Sequence, residues 1–192
     1  MRKNFKAFTL FRLLAFSGMR KGEALALTWN DINFKNAEIR INKALLRGED
    51  NRLYLKTTKN KASIRTIKMD RITMDILQEW KKQQKQDYLV LGFNTLQPKQ
   101  LVFSNESNEY LQPTKTRKWM LQVQKKYNLD EITTHGLRHT HCSLLFEAEV
   151  SIKEVQERMG HSDIKTTMNI YTHVTKKANE AAAERFANYM NC

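Results

Sequence analysis

The apolar residues of this chain change period twice, and that change limits the folds open to it more than any other feature. Phe5, Phe8 and Phe16 keep helical spacing with Leu13 and Leu14 beside them, and Gly18 stands where a helix would be capped. A second, short helix is expected over 21–27, followed by a polar turn through Asn30, Asp31, Asn33 and Asn36. The period then drops to two. Alternation over 38–46, 52–55 and 64–69 predicts three antiparallel strands, and the polar, basic link 56–63 suits an exposed hairpin tip between the last two.

Helical spacing returns from Arg71 to about Gln86 through Ile72, Ile76, Leu77 and Trp80, and 101–103 has room for one short strand. Pro113 opens a helix running to Tyr127, where its missing N–H costs nothing. Thr133 or Thr134 caps a helix from about His135 to Val150, Ser151 caps 152–159 and Gly160 ends it. Ser162 or Asp163 caps the next helix, and 176–190 forms the last. The expectation is a single α+β domain over 1–192, mostly helical, with a small antiparallel three-stranded sheet.

Thirty-three Lys and Arg against 20 Asp and Glu give a formal charge of +13, so the surface attracts polyanions, with nucleic acid first among them. The apolar run 8–16 is interrupted by Arg12, is far shorter than a membrane span and ends without a cleavage pattern, which argues against a signal or membrane segment. Cys142 and Cys192 match no metal or disulfide framework, in keeping with a reducing cytoplasm.

The densest group of chemical side chains is His135-Gly-Leu-Arg138-His139-Thr-His141. His135 and Arg138 share a helical face, which points a titratable base and a permanent cation the same way. His135 and His139 superficially match a zinc protease helix, but Gly136 occupies the place of its general base, so no metal or other cofactor is expected. A lone histidine is usually a packing or capping residue, and Tyr171 beside Ile170 could simply pack a helix. Those plainer accounts weaken as partners accumulate: Gly160-His161 lies between two helices, and Tyr171 follows His161 by ten residues.

In these segments the chain resembles the tyrosine recombinase, or phage integrase, family. The matching pieces are Ser17-Gly-Met-Arg-Lys-Gly-Glu23, Thr58-Lys-Asn-Lys-Ala-Ser-Ile-Arg65, His135-Gly-Leu-Arg-His139, and Gly160-His161 with Thr166-Thr-Met-Asn-Ile-Tyr-Thr-His173, all in the family's order. The resemblance implies a catalytic domain that cuts and rejoins double-stranded DNA through a 3′-phosphotyrosyl link, integrating or excising a mobile element. It further implies that Arg20 and Arg138 bind the scissile phosphate, that His135 is the base, that His161 donates to phosphate and that Tyr171 is the nucleophile. Lys59 would be the general acid, chosen over Lys56 and Lys61 because it stands six residues before Arg65. Lys61 and Arg65 are expected to contact DNA, and Glu23 either holds Arg20 or sits on a helix surface.

The chemistry suits these residue types. A phosphodiester concentrates negative charge in its transition state, and guanidinium offers a planar pair of donors to its nonbridging oxygens. The resemblance also implies a homotetramer on paired sites, a monomer for an isolated fragment, and N-terminal DNA-binding domains that this chain lacks. An apolar stripe of Ala178, Ala182, Phe186 and Tyr189 or Met190 would dock on a neighbouring subunit or on its own domain. Two other functions fit less of the pattern: relaxation of DNA by a type IB topoisomerase, and a DNA-binding module without catalysis.

Overall fold

In the computed structural model the described residues are 3–57, 64–97, 99–172, 186–187 and 189–190. The chain opens with α1 (Lys3–Ser17), whose Leu10, Leu13 and Leu14 are buried, and Gly18 turns it off with φ +66°. α2 (Lys21–Ala26), a 3-10 turn (Trp29–Asp31) and the strands β1 (Ile32–Asn33), β2 (Glu38–Ile41), β3 (Lys43–Arg47), β4 (Leu53–Thr57) and β5 (Arg65–Lys68) follow. The remaining regular elements are helical: α3 (Arg71–Val90), α4 (Pro113–Tyr127), α5 (Thr134–Glu147), α6 (Ile152–Met159) and a helical segment at 164–172.

A three-stranded antiparallel sheet is present, ordered β1-β2-β5, with Ile39 opposite both Ile32 and Ile67. Its membership differs from the expected one. The run 38–46 breaks at Asn42, and its second half pairs with β4 in a separate two-stranded ribbon. The halves face different supports: Ile39 and Ile41 enter the core, whereas β3 runs against α2, so close that a Cβ on Gly22 would stand 2.5 Å from Leu45 O. Among the described residues β4 and β5 are therefore not partners and belong to different sheets. Lys59 and Lys61 lie in 58–63, outside the described residues.

α3 runs four residues past Gln86, and the segment near 101–103 makes only isolated bridges, Thr28 with Leu101 and Ser104 with Tyr110. Trp80 crosses the main core and donates from Nε1 to Val102 O at 2.8 Å, so its one polar atom is satisfied. A smaller cluster of Cys142, Phe146, Val155 and Met159 ties α5 to α6, with Ile170 and Tyr171 against it. Among the described residues no helix is long and apolar enough to cross a membrane.

Candidate active site

Every helix ends with carbonyls that its own turns cannot satisfy. In α6 the Ser151 side chain caps the N-terminus in a box with Glu154, and Gly160 adopts φ +64° at the other end. The turn that follows returns the Gly160 N–H to Gln156 O and Glu157 O, and the His161 N–H to Gln156 O. The next three carbonyls each accept from a different arginine: Arg158 O from Arg65 Nε at 2.8 Å, Met159 O from Arg138 Nη2 at 2.6 Å, and Gly160 O from Arg20 Nη2 at 3.5 Å. The negative end of the helix dipole adds to the attraction.

α1 ends in the same manner. Ala15 O faces His141 Nδ1 at 2.9 Å, Phe16 O accepts from Arg158 Nη2 at 3.1 Å, and Gly18 O accepts from Arg138 Nη1 at 2.6 Å. Arg138, on α5, thus bridges the ends of α1 and α6. Burial, and then the charge of Arg20, push its pKa down to about 10, which leaves it charged at neutral pH. Its side chain is buried, whereas that of Arg20 remains 45% exposed.

Glu23 lies one helical turn after Arg20, and its carboxylate is fully enclosed. Oε2 accepts from the Arg20 N–H at 2.8 Å and Oε1 from Arg20 Nη1 at 3.1 Å. Arg65 adds a two-pronged pair, Nη2 to Oε2 at 2.8 Å and Nη1 to Oε1 at 3.2 Å. Burial alone would raise the Glu23 pKa, but the Arg65 fork and the Arg20 N–H outweigh it and hold the carboxyl below its usual range. The reading of Glu23 as a holder of Arg20 fits this geometry.

Arg65 does not sit where a DNA contact is expected. Its Nε and both Nη atoms bond Arg158 O and the Glu23 carboxylate, and the side chain is buried beneath Gly160. An arginine that follows a basic, polar stretch looks like part of it, and only its partner across the fold reveals otherwise.

His161 follows the three carbonyls directly. Its ring is buried with Nδ1 2.9 Å from Thr167 Oγ1, and burial together with Arg138, Arg20 and Arg65 pushes its pKa down to about 4. The ring is therefore neutral at pH 7. His135 packs edge-to-face on His139 with centroids 4.6 Å apart, and its pKa is lowered by partial burial, then by His139, Arg138 and Arg20. Arg20, Arg138, His135 and His161 thus form one cluster, close enough for their charges to act on one another. The Tyr171 ring stacks edge-on against Phe146, 5.1 Å between centroids, in the cluster that includes Met159, whose carbonyl accepts from Arg138. Among the described residues no three His, Cys, Asp or Glu side chains group so as to hold a metal ion.

Sequence reasoning missed Arg158 and the structural role of His141. Arg158 Nε donates to His141 Nε2 at 3.1 Å and Nη1 to Lys68 O at 2.9 Å, joining α6 to α5 and to the strand after the 58–63 link. An arginine in the last turn of a helix ordinarily reads as a surface complement to the dipole, so no local signal distinguishes it.

Fold and cluster together define an α+β domain that concentrates guanidinium and imidazole groups, the kind that suit an anionic ligand. The chain belongs to the phage integrase family, whose model matches residues 3–178. It is 32% identical over 192 residues to a XerC-like tyrosine recombinase of Caldanaerobacter subterraneus subsp. tengcongensis, covering 95% of this chain and 49% of that protein. Against the integrase of a Staphylococcus phage it is 36% identical over 172 residues, 85% of this chain and 46% of the phage protein. Among solved structures it resembles the Tn1549 transposon integrase in complex with transposon right-end DNA, with TM-score 0.78 and 26% identity over 97% of this chain and 64% of that one. The chain spans about half the length of the curated relatives it matches.

Proposed function

We propose that this chain is the catalytic domain of a site-specific DNA recombinase that integrates or excises a mobile element in the cytoplasm. The observation that carries this reading is the pair of guanidiniums, Arg20 and Arg138, held on the adjacent carbonyls Gly160 O and Met159 O. Arg20 remains 45% exposed, so its guanidinium can reach a ligand that approaches this cluster. Two fixed cations beside a neutral imidazole match the charge that builds on a phosphodiester during its cleavage.

In this reading Tyr171 Oη attacks the phosphorus of double-stranded DNA. The P–O bond to tyrosine forms as the bond to O5′ breaks. His135 accepts the phenol proton, Lys59 supplies a proton to the departing O5′, and His161 donates to a nonbridging oxygen. The lowered pKa of His135 keeps it unprotonated and able to accept. A hydroxyl of another strand reverses the step, since the phosphotyrosyl ester conserves the bond energy. Four copies on paired sites would complete the exchange, with Lys61 near the DNA backbone.

Nicked suicide duplexes resolved on denaturing gels test this. The parent chain is expected to form a covalent adduct, and Tyr171→Phe to bind DNA equally while forming none. An adduct that survives in Tyr171→Phe overturns the nucleophile assignment.

A further inference from the structure

We propose that Arg65 is a positioning residue of this site, which neutralises Glu23 so that the charge of Arg20 stays available to the phosphate; this rests on the function proposed above. Three features of the structure support it. Glu23 and Arg65 are each almost wholly enclosed, at 2% and 7% side-chain exposure, while Arg20 is 45% exposed. Both Glu23 oxygens are taken by the Arg65 fork, and each also receives one bond from Arg20. The third point of the fork, Nε, fixes Arg65 to Arg158 O, next to the two carbonyls that hold Arg138 and Arg20.

The charge arithmetic decides the role. Arg20 with Glu23 alone is a closed, neutral pair, and a buried carboxylate with one partner would draw that guanidinium inward. With Arg65 the trio carries one net positive charge, and it sits on the exposed member. Arg65 also begins β5, directly after 58–63, so the strand that leaves the segment carrying Lys59 is tied to α2 and α6 through one side chain. Lysine at this position would keep the charge and lose the fork.

The test compares the 192-residue chain with Arg65→Lys, Arg65→Met and the double variant Glu23→Gln/Arg65→Met. Single-turnover adduct formation at saturating protein, DNA affinity against salt, and thermal melting would be measured for each. Arg65→Lys and Arg65→Met are expected to lose cleavage rate on the order of 10²-fold, the scale of a small misplacement of catalytic groups, with the salt slope of binding unchanged. The double variant removes both buried charges together and so leaves no uncompensated buried carboxylate. It should cleave faster than Arg65→Met, whereas a purely structural Arg65 predicts further loss.

Parent-like cleavage by Arg65→Lys, or a double variant slower than Arg65→Met, overturns the proposal. A salt slope reduced by about one ion in either single variant reinstates direct DNA contact and overturns it too. If the parent itself forms no adduct, the proposed function fails and this role with it; an adduct in the parent that is unaffected in Arg65→Lys defeats the positioning role alone.

Discussion

The Nε–H of Arg158 points at Nε2 of His141, 3.1 Å away, while the other ring nitrogen of His141 faces Ala15 O at 2.9 Å. A carbonyl can only accept, so the proton sits on Nδ1 and Nε2 is the acceptor. His141 is therefore a neutral strut between the ends of α1 and α6, and burial followed by the Arg158 charge depresses its pKa to about 4.

Acid should loosen this junction. The unfolded chain takes up a proton at His141 near pH 6.5 and the folded chain only near 4, so unfolding absorbs protons between those values. Stability is full above about 6.5 and falls as pH drops toward 4, with His161 contributing in the same window. At about 1.4 kcal/mol per unit the loss is on the order of 2–3 kcal/mol for His141. Urea melts at pH 4.5 and 7 should show it, and His141→Phe should be less stable at pH 7 with a shallower decline. A parent melt flat across this range contradicts the assignment.

Gly160→Ala should be costly for two reasons at once. Its φ of +64° is strained for any residue with a Cβ, by about 1–2 kcal/mol, and that Cβ would stand 2.8 Å from Arg65 Nη1. A lower Tm and weakened adduct formation are expected together. A variant that melts like the parent argues that Arg65 can retreat without consequence.

Phe146→Ala removes the ring on which Tyr171 rests and opens the small α5–α6 cluster. A loss of about 3–5 kcal/mol is the usual scale for a buried phenylalanine. At a temperature where the variant stays folded, adduct formation should fall more than DNA affinity. Equal losses in both would show that Phe146 supports the domain generally rather than the tyrosine.

Binding to DNA should be steep in salt and nearly indifferent to sequence for this chain, because a +13 surface meets phosphates first. Between 50 and 200 mM salt, affinity should fall by about 10³-fold or more if six or more phosphates are neutralised. Titrations on unrelated duplexes decide it: a flat salt response or a strong sequence preference goes against the reading.

The helices were legible where their signals are local. Pro113, Ser151 and Gly160 mark the ends of α4 and α6 because caps act within one turn, and the observed bounds agree with that reading. Strand partners were less legible, since the break at Asn42 depends on α2 and on β4, neither adjacent to it in the chain. The site divides in the same way. Arg20, His135, Arg138 and His161 stand in short patterned segments and come together in one cluster. The burial of Arg65 hinges on Glu23, 42 positions away, and nothing near it in the sequence announces that. Lys59, Lys61, Ala178 and Ala182 fall outside the described residues.

The three arginines at the end of α6 hang on backbone oxygens, and this makes the arrangement sensitive to helix phase in a way that is separate from side-chain identity. Changing the side chain at 158 or 159 would break the Arg158 strut or the Met159 packing but would not delete an acceptor, because every amino acid carries the same carbonyl. The phase of the helix cannot drift. One residue inserted or lost between Ser151 and Gly160 turns those oxygens by about 100° about the axis and shifts them about 1.5 Å along it. The guanidiniums would then face side chains in place of carbonyls, so the length of this one short helix is constrained independently of its composition.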